Sequence, residues 1–370
     1  MVDYKALIEK NKAGIARLFR EHWLLILLGI LGVLSVYFYF TVIFRRVPRC
    51  MGKLDMYESA LSIHPVTSCS KLIENGYKLC DFYVASAYRP YLPCCQYYDY
   101  GALNMIEKVV RMGARYLELD LYNLDFCPIS DIVVCTGKQP GNWHYTTPLL
   151  FKEVCSVIST TAFSPSLSNA TDPMFLCLNL NMEGNEASMN SIAKILNDTL
   201  GSWMLGPDYH YQRTNLAMVE LKEIMGKIVI LCGDRCQGTK LAEIVNYTWK
   251  QPFMRSYSHI EVLDFHEPTE VTDYNRLNLT RCYPKFSGRD TENYNPRLAW
   301  MYGCQFVAMN YGKPDDNMII YWKKFKRSSF VLKPYKLRFH PKYYKTPKAQ
   351  TKNVSFAPMQ HSTPDYSITY

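Results

Sequence analysis

Residues 114–123 read ARYLELDLYN, so two carboxylates, Glu118 and Asp120, stand in a stretch that is otherwise largely apolar or aromatic. Side chains alternate across a strand, so Leu117, Leu119 and Leu121 share one face while Tyr116, Glu118, Asp120 and Tyr122 share the other. Two hard oxygen donors on one face are a start on a divalent-cation site, and Ca²⁺ suits such a pair. Calcium takes about 6–8 oxygens, so neighbouring strands or water must supply the others. The same alternation describes the wetted side of an ordinary antiparallel strand. The elements around it have to decide.

Those elements alternate. Residues 82–87 (FYVASA) read as a strand, and 102–112 as a helix with Leu103, Ile106 and Val110 on one face, stopped by Gly113. After the acidic strand come an apolar run at 174–182, a helix near 187–200, a short continuous strand at 226–233, and further strands at 259–265 (HIEVLDF) and 304–311. Strands and helices in alternation predict a mainly parallel sheet covered by helices, and so many units favour closure into a TIM-type (β/α)8 barrel, an α/β fold. In such a barrel the C-terminal strand ends converge on one mouth, which gives the inward acids a purpose.

The chain of 370 residues is 48% hydrophobic and 14% aromatic, which excludes a disordered protein. Residues 23–44 form 22 consecutive uncharged positions. At about 1.5 Å per residue they cross a hydrocarbon core of roughly 30 Å. A cleaved signal peptide is the competing reading, but the run exceeds an h-region of about 7–15 residues and Arg45 and Arg46 follow it. Lysines and arginines nearly balance on its two flanks. Thirteen cysteines and five Asn-x-Ser/Thr sequons, at Asn169, Asn197, Asn246, Asn278 and Asn353, favour a lumenal or extracellular barrel over a cytosolic one. The net charge of +9 is concentrated in residues 322–352, which hold eleven Lys or Arg and no acid, interleaved with aromatics. That pattern suits an anionic membrane surface better than a nucleic acid in a chain already held at a bilayer.

The segment LTRCYPKFSGRDTENYNPRLAWMYGCQFVAMNYGKPDDNM (279–318) and FVLKP (330–334) resemble the Y half of the phosphoinositide-specific phospholipase C barrel. DFYVASAYRPYL, RMGARYLELD and ELKEIMGKIVILCGD resemble its X half. The resemblance divides the chain into a basic segment (1–22), the span (23–44), a juxtamembrane connector (45–77), a barrel (78–336, with an X-like half at 78–238 and a Y-like half at 256–336) and a basic tail (337–370). It implies two histidines as general base and acid for attack of the inositol 2-hydroxyl on phosphorus and release of diacylglycerol. Here Tyr88 and Thr136 stand at those positions, and the nearby substitutes are His144 and His266. It also implies calcium ligands at Glu118 and Asp120, with Asn179 in place of a Glu and Arg89 in place of an Asn. A cation beside the site opposes Ca²⁺, so weak calcium binding or none is expected. Arg281 matches the family's phosphate-binding Arg and Tyr283 the ring that packs on inositol, while Leu231 and Gly233 stand near the family's headgroup lysines and Arg235 follows. The expectation is a catalytically impaired, membrane-anchored relative that binds phosphoinositide or inositol phosphate headgroups or acts as a scaffold. The alternatives are an active phosphodiesterase with unusual acid and base groups, and a structural or receptor-binding ectodomain.

Overall fold

The computed structural model describes residues 4–61, 67–95, 97, 99–125, 131–138, 143–182, 186–249, 251–285, 292–341 and 358–369. The chain forms two units, Met1–Phe339 and His340–Tyr370. In the second, Gln360–Ser362 and Ser367–Thr369 pair as an antiparallel hairpin. Lys342, Lys345, Lys348, Asn353 and Cys127 lie outside the described residues.

Eight parallel strands make the first unit's sheet: β1 (Phe82–Tyr88), β2 (Tyr116–Asn123), β3 (Met174–Leu180), β4 (Ile228–Cys232), β5 (Tyr247–Thr248), β6 (Met254–Ser258), β7 (Leu279–Tyr283) and β8 (Phe306–Met309). Their order is β5-β4-β3-β2-β1-β8-β7-β6, so neighbours in the sheet are consecutive in sequence except where the last strand, β8, returns to the first, β1, and the ring is open only between β5 and β6. A ninth, antiparallel strand, β9 (Phe330–Leu332), pairs with β1. This is the nearly closed (β/α)8 barrel that the alternation of elements predicts.

The two faces of β2 divide as their alternation requires. Leu117, Leu119 and Leu121 join the layer between sheet and helices, which includes α3 (Leu103–Arg111), α4 (Phe151–Ala162) and α5 (Glu186–Leu200). Tyr116 points into the barrel, where its ring stacks on Phe306 at 4.5 Å and Phe175 packs on Phe306 in turn. Glu118 and Asp120 follow Tyr116 along the same face toward the C-terminal end. Burying an aromatic plug below them leaves the two carboxylates at the mouth.

The expected strand at 259–265 is a helix, His259–Leu263, and the strand is β6 just before it. The reason is local. Ser258 caps the helix by accepting from the Glu261 amide, while the Glu261 carboxylate accepts from the Ser258 amide at 2.6 Å. This Ser-x-x-Glu box ends the strand despite the β-branched residues that follow.

Upstream, α1 (Tyr4–Phe38) is kinked at His22, where the backbone leaves helical values immediately before the apolar run. Helix runs from Arg20 to Ala60 with a break at Arg45, and its most apolar stretch, with a mean hydropathy of 2.3, is long enough to cross a membrane. Apart from the half-buried Ile26, its large side chains from Trp23 to Phe40 are exposed to the surroundings. Within the juxtamembrane connector, α2 (Arg46–Leu61) docks on the barrel. Leu54 is buried in the outer core, the Tyr57 ring lies 6.3 Å from Trp322, Asp55 and Glu58 pair with Lys108 of α3, and a disulfide joins Cys50 to Cys94.

Candidate functional site

A mouth of about 760 Å³ opens at the C-terminal strand ends. It is lined by Tyr88 and Arg89 after β1, Glu118 and Asp120 of β2, Asn179 of β3, Gly233 and Arg235 after β4, Trp249 after β5, Glu261, Arg281 and Tyr283 of β7, and Lys285. The barrel thus brings together nine residues that the sequence singles out: Tyr88, Arg89, Glu118, Asp120, Asn179, Gly233, Arg235, Arg281 and Tyr283.

Three others lie elsewhere. Thr136 is buried in a loop, its amide donating to Thr146 Oγ1 at 3.0 Å. His144 is half-buried against Tyr122, with Nε2 at 3.0 Å from the Asn123 carbonyl, and burial lowers its pKa. His266 is exposed beyond the helix that caps β6. None of the three lines the mouth. The two histidines stand near the acids in sequence or topology, but a loop folds each away from the strand ends.

Inside the mouth the charges are matched by the protein itself. Arg89 donates through Nε to Asp120 Oδ2 at 2.6 Å, with both side chains largely buried. Its φ of 46° places it in the left-handed region that non-glycine residues rarely occupy, a conformation that turns the guanidinium inward at the end of β1. The other Asp120 oxygen accepts from Asn179 Nδ2 at 2.8 Å. Arg281 donates to Ser256 Oγ at 2.7 Å and to Asn179 Oδ1 at 3.0 Å, and its Nη1 lies 3.7 Å from Glu118 Oε1. Its guanidinium sits over the rings of Trp249 at 4.0 Å and Tyr283 at 5.1 Å. Gly233 permits this, because a Cβ there would meet the Trp249 ring at 3.0 Å.

Glu118 accepts from the Tyr116 hydroxyl at 3.1 Å through Oε1, while Oε2 is buried with no hydrogen-bond partner. Burial pushes its carboxyl above the usual carboxylate range, and Arg281 only partly pulls it back. Burial likewise raises the Tyr88 phenol, which stays neutral at physiological pH. Arg235 and Lys285 are exposed at the rim.

This donor set does not fit Ca²⁺. A guanidinium already occupies the Asp120 carboxylate, a second stands beside Glu118, and the third donor is an uncharged amide. Among the described residues no cluster of three or more His, Cys, Asp or Glu is placed to hold a metal ion. Sequence reasoning missed Trp249, Ser256 and Glu261. Only Glu261 carries a readable signal, the capping box with Ser258.

A (β/α)8 barrel whose strand ends gather carboxylates and guanidinium groups in one polar mouth is a scaffold suited to phosphate-bearing ligands. The chain belongs to the phosphatidylinositol-specific phospholipase C family, whose X domain matches residues 76–232 and Y domain residues 229–336. It is 23% identical over 311 residues to the mouse inactive phospholipase C-like protein 2, covering 69% of this chain and 26% of that protein. It is also 23% identical over 331 residues to the human inactive phospholipase C-like protein 1, covering 75% and 28%. A bovine 1-phosphatidylinositol 4,5-bisphosphate phosphodiesterase beta-1 is 38% identical over 80 residues, covering 21% and 7%. The chain therefore spans about a quarter of the length of the inactive relatives it matches. Among solved structures, PLC21 of S. officinalis superposes with a TM-score of 0.61 at 23% identity, over 72% of this chain and 38% of that one.

Proposed function

We propose that this chain is a catalytically impaired, membrane-anchored phospholipase C-like barrel that binds phosphoinositide or inositol phosphate headgroups or serves as a scaffold. The observation that carries the reading is the Arg89–Asp120 contact at 2.6 Å, which places a fixed guanidinium on a carboxylate of the expected calcium pair. Tyr88, a neutral phenol, stands where the family resemblance implies a histidine, and Thr136 is sealed away from the mouth. Loss of one general acid or base lowers rates by about 10²–10⁴. The relatives similar over most of the barrel are named as inactive phospholipase C-like proteins, which supports the same reading.

The exposed rim cations Lys285 and Arg235, the latter also donating to the Leu180 carbonyl at 3.1 Å, are the groups offered to an anionic headgroup, since Arg281 lies deep in the mouth against Glu118, Asn179 and two rings. The Cys50–Cys94 disulfide supports a lumenal or extracellular barrel. The basic segment around Lys336 and Arg338 fits an anionic membrane surface. The test uses the full chain in detergent. Diacylglycerol release from phosphatidylinositol and its phosphorylated forms should be absent with or without calcium. Headgroup binding should weaken when Arg235 and Lys285 are both changed to Gln. Calcium-dependent turnover would establish the active-enzyme reading instead, and absence of any headgroup binding would leave the structural ectodomain.

A further inference from the structure

The cleft between α2 and the barrel gathers three cysteines and three cations. It measures about 480 Å³ and is lined by Cys50, Cys94 and Cys95 together with Arg46, Lys53 and Lys313. Cys50 and Cys94 form the disulfide; Cys95 beside them is a half-buried thiol. The other nine described thiols are buried. Arg46 donates through Nη2 to Cys95 Sγ at 2.7 Å. Its Nε lies 3.1 Å from the buried Asp99 carboxylate, which also accepts from the Cys95 amide at 3.0 Å. Asp99 thus fixes the guanidinium against the sulfur. The other charges nearby are the exposed Lys53 and the half-buried Lys313, which pairs with Glu292, whereas Asp55 and Glu58 of α2 face Lys108.

A guanidinium in contact with a thiol favours the thiolate, which is the form that attacks disulfides. Adjacent positions in the chain hold Cys95 beside the bonded Cys94, and all three sulfurs line the same cleft.

We propose that this cleft is a thiol–disulfide exchange site in which Cys95 attacks the Cys50–Cys94 bond. Cys95 gives its proton to water, and the resulting thiolate adds to Sγ of Cys50. An S–S bond forms between residues 50 and 95 as the bond between 50 and 94 breaks. Cys94 leaves with the electron pair and takes a proton from water. One thiol and one disulfide exist before and after, so the step consumes neither oxidant nor reductant. The helix α2 stays tied to the barrel in both pairings, while the reactive thiol moves by one residue.

The test is alkylation of the full chain, purified in detergent without reductant, by iodoacetamide at pH 7, with the labelled residue located by fragment mass spectrometry. Within the Cys94–Cys95 pair, label should appear at both positions, one per molecule, with Cys50 always in a disulfide. In Cys94→Ser, Cys50 should pair with Cys95. Arg46→Gln should slow labelling about tenfold, and Arg46→Lys, which keeps the charge, no more than about threefold. Label confined to Cys95 after exhaustive reaction would overturn the proposal, as would a Cys50 thiol in folded Cys94→Ser or an unchanged rate in Arg46→Gln. The label map of the wild-type chain decides the matter alone if a variant does not fold.

Discussion

Replacing Arg89 by Asn tests the idea that the protein's own cation has taken the place of a metal. At 2.6 Å and an effective dielectric of about 20, the Arg89–Asp120 attraction is about 6 kcal/mol before desolvation is subtracted. Breaking a buried pair by removing one partner typically destabilises by about 3–5 kcal/mol. The lower end applies here, because Asn179 still donates to Asp120 and because Asn tolerates the left-handed φ of 46° better than Arg does. At about 2–4 °C per kcal/mol for a large domain, the melting temperature should fall by about 6 °C or more. The carboxylates then face each other without Arg89, so calcium should restore part of the loss. With a Kd of about 10⁻⁴ M, 10 mM Ca²⁺ stabilises by about 2.7 kcal/mol. The assay is thermal melting of wild type and Arg89→Asn in detergent, with Ca²⁺, Mg²⁺ or chelator. Wild type should not respond to calcium. An Arg89→Asn chain as stable as wild type, or one indifferent to calcium, would refute the reasoning.

Tyr88→His alone should not produce calcium-dependent cleavage of phosphatidylinositol, measured as diacylglycerol release, because Arg89 still holds Asp120 and Thr136 stays outside the mouth. If the barrel is lumenal, Asn197→Gln should reduce any glycosidase-sensitive mobility shift while Asn169→Gln and Asn246→Gln leave it unchanged, because Asn197 is exposed on α5 whereas Asn169 and Asn246 are buried and hydrogen-bonded; a shift unchanged by Asn197→Gln would contradict the burial argument. Burial pushes Lys333 down to about 8. The folded state therefore binds fewer protons than the unfolded one between about pH 8 and 10.5, and this group's contribution to stability rises with pH across that window. Lys333→Met should stabilise the chain at pH 7 by up to about 3 kcal/mol, since the Asn275 carbonyl keeps its second donor, Gln305. Denaturant melts should show that advantage shrinking toward pH 10, and a pH-independent difference would contradict it.

The barrel was legible because its strands are short apolar runs spaced by helices whose apolar faces repeat with the helical period. The mouth was legible where one strand carries its own signal, as with Glu118 and Asp120. Two kinds of feature escaped. His259–Leu263 looked extended because Ile260 and Val262 alternate with polar residues, and only the Ser258–Glu261 box reverses that preference. The engagement of Arg281 depends on Trp249, Ser256 and Asn179, which come from three separate strand regions and have no common spacing. The sequons misled in the other direction, since Asn169 and Asn246 serve the interior: Asn169 donates to Ser329 and Asn246 accepts from the Ile230 amide.

The docking of α2 also limits geography. Only Arg45 separates the last turn of the apolar helix, which ends at Phe44, from α2, whose side chains are pinned to the barrel at Cys50, Leu54 and Tyr57. A catalytic or binding head on a long flexible tether can sweep a wide area and touch a neighbouring bilayer, because its reach grows with the square root of linker length. For a barrel anchored by this helix the tether has almost no length. It would stay over its own patch of lipid, follow the lateral diffusion and tilt of its span, and meet ligands of another membrane only when that membrane is brought to it.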